Sequence, residues 1–159
     1  MLANVARSSA CPCGSRHPFG DCCAPVLDDA HRAGHPEALM RARFCGFVTG
    51  AAEFLHATWD PVHRPALETL RDPGPRWCRL DVAHSHAEGD RGEVHFTAIG
   101  RESGHFFTLS ETSRFRFDAS LAHWLYVDGD ATWQRLDTGR NAPCPCGSGL
   151  KAKRCCARD

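Results

Sequence analysis

A chain of 159 residues has room for one core of ordinary domain size between two cysteine-rich ends. Its 19 basic and 19 acidic side chains cancel, which excludes a protein that coats nucleic acid with a continuous basic stripe, and its hydrophobic content of 42% is enough to pack an interior. No uninterrupted run of about 18 apolar residues occurs, and Met1 to Ala10 lacks the apolar stretch of an export signal, so the expectation is a cytoplasmic protein that does not enter a membrane.

The first element is a short loop holding Cys11, Cys13, Cys22 and Cys23. It has too few apolar residues to order itself by burial, so it should be structured only with a metal bound. Residues 24–34, with Pro25, Asp28, Asp29 and Gly34, read as a connector. A helix is predicted from Pro36 to about Val48, because proline suits the first helical position and Leu39, Met40, Phe44, Phe47 and Val48 share one face. A second short helix covers about Ala51 to Thr58, with Phe54, Leu55 and Trp59 inward. Asp60-Pro61 reads as the cap and first residue of a third, to about Leu70, with Arg64 and Glu68 paired on its outer face. Asp72-Pro-Gly-Pro75 ends the helical part.

From there the apolar period becomes two. Alternating runs at roughly Arg76 to His86, Gly92 to Gly100, Gly104 to Phe117 and Leu121 to Val127, separated by short polar turns, predict a four-stranded antiparallel meander. Helices followed by such a sheet make an α+β layer fold. Residues 129–139 read as the return to the C-terminal loop. The domains expected are 1–27, 28–138 and 139–159, with formal charges of +1, −5 and +4.

That last loop repeats the first. Cys144, Cys146, Cys155 and Cys156 have the same spacing as Cys11, Cys13, Cys22 and Cys23, and both copies begin Cys-Pro-Cys-Gly-Ser. Soft thiolates so placed suit one tetrahedral ion per loop, zinc with iron as the alternative, and four protein ligands leave no open position for catalysis. Adjacent cysteines can reach one ion only from a turn or a helical start. Cys45 and Cys78 lie among apolar residues and read as small buried core residues. With four thiolates on a divalent ion, the net charge of the tail falls to about +2, a modest patch of Arg140, Lys151, Lys153, Arg154 and Arg158.

Both loops resemble the SEC-C motif, known as a small zinc-binding tail of the SecA translocation ATPase that meets a partner protein. Cys144, Pro145, Cys146, Gly147, Ser148, Gly149, Cys155 and Cys156 match its fixed positions, while Ala152 stands where the motif usually carries an aromatic. Together with Met40-Arg-Ala-Arg-Phe44, Thr58-Trp-Asp-Pro61, Glu111-Thr-Ser-Arg-Phe115, Trp124-Leu-Tyr126, Asp128-Gly129 and Gly139-Arg-Asn141, they make the whole chain resemble the bacterial YchJ-type family. The resemblance implies a middle domain like nuclear transport factor 2 and the SnoaL-type proteins, a curved four-stranded antiparallel sheet wrapped around helices as a cone, flanked by two metal-binding knuckles. It implies no particular activity.

On that cone the strand alternation gives a candidate site. Glu111 and Ser113 share the face of Phe107, Leu109, Phe115 and Phe117, His84 that of Leu80 and Val82, and Trp124, Tyr126 and Asp128 a third. If these faces converge, Glu111, His84, Tyr126 and Asp128 are the candidate catalytic groups of a cavity also lined by Arg41, Arg43, Trp59, Ser113 and Trp124. The simpler reading is an ion pair between Glu111 and Arg41 or Arg43 that pins helix to sheet.

Three functions are therefore expected in order. The first, favoured over an enzyme, is an adaptor whose knuckles hold two zinc ions and contact a protein or ribonucleoprotein partner. The second is a small-molecule binder or acid/base enzyme working around Glu111, and the third is a thiol-based metal or redox sensor.

Overall fold

Proline at the start of a helix and glycine just past its end frame the first long element, and the rest of the molecule is laid against it. In the structure, a computed structural model that describes residues 4–158, the helices are α1 (Ala24–Asp28), α2 (Pro36–Thr49), α3 (Ala52–Ala57) and α4 (Leu67–Arg71). Met1 to Ala3, part of the segment read as lacking an export signal, and Asp159, counted in the tail's charge, lie outside the described residues. Among the described residues no helix is long and apolar enough to cross a membrane.

Helix α2 starts as its sequence dictates. Pro36 occupies the first turn, His35 accepts a hydrogen bond from the Ala38 amide, and Gly50 closes the helix in the left-handed region at φ 75°. Leu39, Met40, Ala42, Phe44 and Cys45 are all buried, because the sheet covers one side of α2 and the N-terminal knuckle another. The stretch read as a connector instead forms α1 and a 3-10 turn at Ala30–Arg32, which seat Ala24, Val26 and Ala33 in the same core.

The helix expected from Asp60 to Leu70 is reduced to α4. Pro65 disfavours a helical Arg64 and removes an amide from the helix interior. Asp60 has another use: its carboxylate pairs with Arg116 and accepts the Val62 amide, while its own amide donates to the Tyr126 carbonyl. The Tyr126 amide donates to the Thr58 carbonyl, so 58–60 lies along the sheet through a parallel bridge between Trp59 and Tyr126. Arg64 thus falls outside the helix that holds Glu68.

The sheet is the expected meander, β1 (Arg76–Glu88), β2 (Arg91–Glu102), β3 (His105–Asp118) and β4 (His123–Leu136), in the order β1-β2-β3-β4. β4 continues nine residues past Val127, through the stretch read as a return loop. Gly129 there is not a turn residue. It pairs with Ser113, and a Cβ at that position would collide with the Glu111 carboxyl. Gly92 plays the same part on β2, where a Cβ would meet the Pro36 ring at the foot of α2.

Register shifts at Trp77/Arg79, Val82/His84 and Arg114/Phe115 bend the sheet around α2. The main core fills its concave side with Leu39, Phe44, Leu80, Val94, Phe96, Phe115 and Trp124. A second, smaller core holds the C-terminal knuckle against Phe106, Ile99, Cys78 and Leu136.

Candidate functional site

Each knuckle is a loop closed by glycine and ended by a 3-10 turn. Gly14 and Gly147 sit at φ 81° and 83°, where a side chain would be strained, and their amides return to the carbonyls of Cys11 and Cys144. The turns Phe19–Asp21 and Ala152–Arg154 then deliver the vicinal cysteines. Cys22 (φ −120°, ψ −94°) and Cys155 (φ −133°, ψ −118°) leave each turn in the same irregular conformation, which swings two adjacent thiols to one side. The geometric difficulty of ligands at consecutive positions is met in this way.

The result is two tetrads, Cys11, Cys13, Cys22, Cys23 and Cys144, Cys146, Cys155, Cys156, each with its four sulfur atoms within 4.8 Å of one another. A tetrahedral ion with bonds of about 2.3 Å requires sulfur–sulfur edges of about 3.8 Å. The edges include 3.7 Å for Cys13–Cys22, 3.9 Å for Cys22–Cys23, 3.4 Å for Cys146–Cys155 and 3.9 Å for Cys155–Cys156. The donor set and its size are compatible with one thiolate-bound metal per tetrad. Hydroxyls support them: Ser15 lies 3.1 Å from the Cys22 sulfur and Ser148 3.2 Å from that of Cys155. Burial raises the Cys146 thiol, but the Ser148 hydroxyl and amide outweigh it and bring the thiol down to about 7.

The two sites are embedded differently. Cys11, Cys13 and Cys23 belong to the main core, and Arg41 on α2 donates to the Cys13 carbonyl at 2.7 Å while paired with Glu37. The C-terminal tetrad keeps Cys146 and Cys155 half-exposed, and Arg76 on β1 donates to the Cys156 carbonyl at 3.3 Å. Cys45 and Cys78 are more than core residues: Cys45 lies 3.6 Å from the Cys11 sulfur, and Cys78 contacts Cys156. Sequence spacing had no means of showing this, since α2 and β1 supply these thiols from far along the chain.

Inside the cone is a cavity of about 300 Å³. Of the residues expected there, Arg43, Trp59, Glu111, Ser113 and Tyr126 line it. Ser113 and Tyr126 both donate to Glu111 Oε1 at 2.8 Å. Arg43 is buried, its guanidinium stacked 4.7 Å from the Trp59 ring and 4.8 Å from that of Tyr126, and it donates to the Leu55 carbonyl and the Thr58 hydroxyl. Burial pushes the Arg43 guanidinium down to about 10, which leaves it a cation at neutral pH. Burial, with the nearby Glu111, pushes the Tyr126 hydroxyl up, so it stays protonated and donates.

Four expected residues are elsewhere. Arg41 faces the N-terminal knuckle, on the side of α2 away from Arg43. Trp124 is packed in the core against Phe117. His84 and Asp128 are displaced by the bulges: one extra residue in a strand exchanges its faces. After the Val82/His84 shift, His84 is exposed and stacked on His95 at 5.3 Å. Through the shift at Arg114/Phe115, Asp128 sits opposite Arg114 and pairs with it. Conversely, Phe47, Trp77 and Trp133 line the cavity and were not anticipated. Trp133 lay in the segment read as a loop, so its strand alternation went unused.

Comparison with known proteins agrees with this anatomy. The family model described as the YchJ middle NTF2-like domain matches residues 35–129, and that of the SEC-C motif matches 7–25 and 140–158. A UPF0225 protein of Vibrio cholerae is 37% identical over 152 residues, covering 92% of this chain and 99% of that protein. One from Sodalis glossinidius is 38% identical over 156 residues, covering 93% and 97%. Among solved structures, a SEC-C motif containing protein from Rhodopseudomonas palustris superposes with TM-score 0.71 at 31% identity, covering 78% of this chain and 99% of its own. Another from Psychrobacter arcticus, at 24% identity and TM-score 0.67, shares the fold over 94% of this chain and 96% of its own.

Proposed function

Since the chain belongs to the YchJ family and carries a SEC-C tetrad at each end, we propose that it is a cytoplasmic two-zinc adaptor whose C-terminal knuckle docks an acidic protein or ribonucleoprotein surface. The observation that carries this reading is the outer face of that knuckle. Leu150 is 52% exposed beside exposed Lys151, Lys153 and Arg154, on the loop that draws its four cysteine sulfurs to within 4.8 Å of one another. A single apolar side chain ringed by cations favours a partner with an acidic rim around a small apolar pocket.

Cys11, Cys13, Cys22 and Cys23 would hold one zinc ion, and Cys144, Cys146, Cys155 and Cys156 the other, with iron the second candidate for this donor set. Four thiolates supply a closed cross-link and no water position, so the metal's contribution is folding energy. The N-terminal site clamps α2, and the C-terminal one shapes the docking face.

The test compares what the metal-loaded full chain retains from lysate with two variants, Cys155→Ser with Cys156→Ser, and Lys151→Glu with Lys153→Glu. One and the same partner, lost from both variants and released by salt, is the expected result, with zinc content reduced only in the first. A partner held equally by all three proteins refutes the docking face.

A further inference from the structure

The cavity is lined for a ligand, and its lining states what kind. Ala98, 1% exposed, is a small side chain on the wall and leaves the space beside it open. Aromatic rings form the mouth instead: Phe47 is 39% exposed and Trp133 58%, with Trp77 between Phe107 and Trp133 at ring separations of 5.6 and 6.4 Å. Large rings left at the rim of an open apolar space mark a binding surface more than a packing one.

One polar acceptor is presented to that space. Glu111 is seated on an otherwise apolar wall because Gly129 leaves room for its carboxyl. Two of the lining donors, Ser113 and Tyr126, are spent on Oε1, Trp59 Nε1 is buried without a partner, and among the described residues no donor reaches Oε2. The Arg43 guanidinium behind the Trp59 and Tyr126 rings balances the carboxylate, so the lining carries no net charge to attract an ion. At about 300 Å³ the space is at the small end of ligand sites, the size of two or three aromatic rings.

From these features we propose that the cone cavity binds an uncharged aromatic molecule of two or three rings that donates one amine or hydroxyl hydrogen to Glu111 Oε2. The rings stack among Trp77, Trp133 and Phe47, and the donor reaches inward to the carboxylate. The site is independent of both tetrads and of the docking face.

N-Phenyl-1-naphthylamine is the probe: three aromatic rings, no charge, one N–H donor, and fluorescence that rises in apolar surroundings. Its sulfonated analogue, 1-anilinonaphthalene-8-sulfonate, has the same ring system with an anion added. On the metal-loaded full chain the neutral probe should saturate at one per chain, and the sulfonate should bind at least about ten-fold more weakly, since Arg43 is taken up by Leu55 and Thr58 and no free cation offsets the desolvation of an anion. Glu111→Gln keeps the shape and should weaken the neutral probe about five-fold, the difference between a charge-assisted and a neutral hydrogen bond. Ala98→Leu, three carbons larger, should narrow the void and weaken saturable binding by about ten-fold. Trp133→Ala, at a rim position 58% exposed, should weaken it by a similar factor to Glu111→Gln. Near-UV circular dichroism checks that each variant keeps wild-type packing. Absence of saturable binding overturns the proposal, as does equal affinity for the two probes. So does unchanged binding in the correctly packed Trp133→Ala protein.

Discussion

Replacing Asp60 tests how the cone is held shut. Its carboxylate, 7% exposed, pairs with Arg116 on β3 and accepts the Val62 amide, tying the 58–60 segment to the sheet. Burial alone would raise this carboxyl, but Arg116 and the Val62 amide outweigh it and hold it below the usual carboxylate range. Removing one member of a buried pair costs about 3–5 kcal/mol when the other is stranded. Arg116 is 28% exposed and keeps Asp118 at 2.9 Å, so the lower end applies, about 3 kcal/mol for Asp60→Ala. Asp60→Asn retains an acceptor for Val62 and should cost about 2 kcal/mol. For a chain of this length the alanine variant's loss is a fall in Tm of roughly 6–12 °C. Thermal and urea unfolding of the metal-loaded proteins measures it. The sign with pH follows from the lowered carboxyl: its contribution is full above the unfolded value of about 4 and is lost as pH falls through the folded value, so wild type and Asp60→Asn should converge in acid. A loss under about 0.5 kcal/mol for Asp60→Ala refutes the reasoning, because a surface ion pair would give that result.

The remaining expectations concern close packing and the metals. Gly129→Ala should cost about 1–3 kcal/mol and displace Glu111, since its methyl meets the carboxyl; urea denaturation within error of wild type would place that carboxyl elsewhere. Gly92→Ala drives a methyl into the rigid Pro36 ring and should cost about 2 kcal/mol, read in the same way, with an unchanged midpoint arguing against the seating of α2 on β2. Metal release to a colorimetric chelator should be biphasic, because Cys146 and Cys155 are half-exposed whereas Cys11, Cys13 and Cys23 are buried in the main core. The fast phase should vanish in the Cys155→Ser, Cys156→Ser protein; a single phase in the wild type would mean that burial does not govern release.

The tetrads were legible because all four ligands of each lie within one short loop, and a metal site made of local residues leaves its spacing in the sequence. The helix at Pro36 and the meander were legible for a similar reason, since caps and periods of 3.6 or 2 are properties of neighbouring residues. Four strands in order followed from four alternating runs, but the length of β4 did not, because Asp128, Gly129 and Asp130 have turn chemistry and their pairing to β3 is a non-local fact.

Tertiary structure decided which side chains meet. Nothing in the strand pattern marks Ala83 on β1 or Val127 on β4 as the extra residue of a bulge, yet each bulge moves one candidate, His84 or Asp128, out of the cavity. Arg41 and Arg43 are equivalent in sequence and part ways in space, one held by the Cys13 carbonyl and the other stacked between Trp59 and Tyr126. Cys45 and Cys78 likewise come up against the tetrads only because α2 and β1 pack against the knuckles. Local order is written in spacing and propensity, whereas these encounters depend on how the curved sheet closes on α2, and that closure is set by packing among residues far apart along the chain.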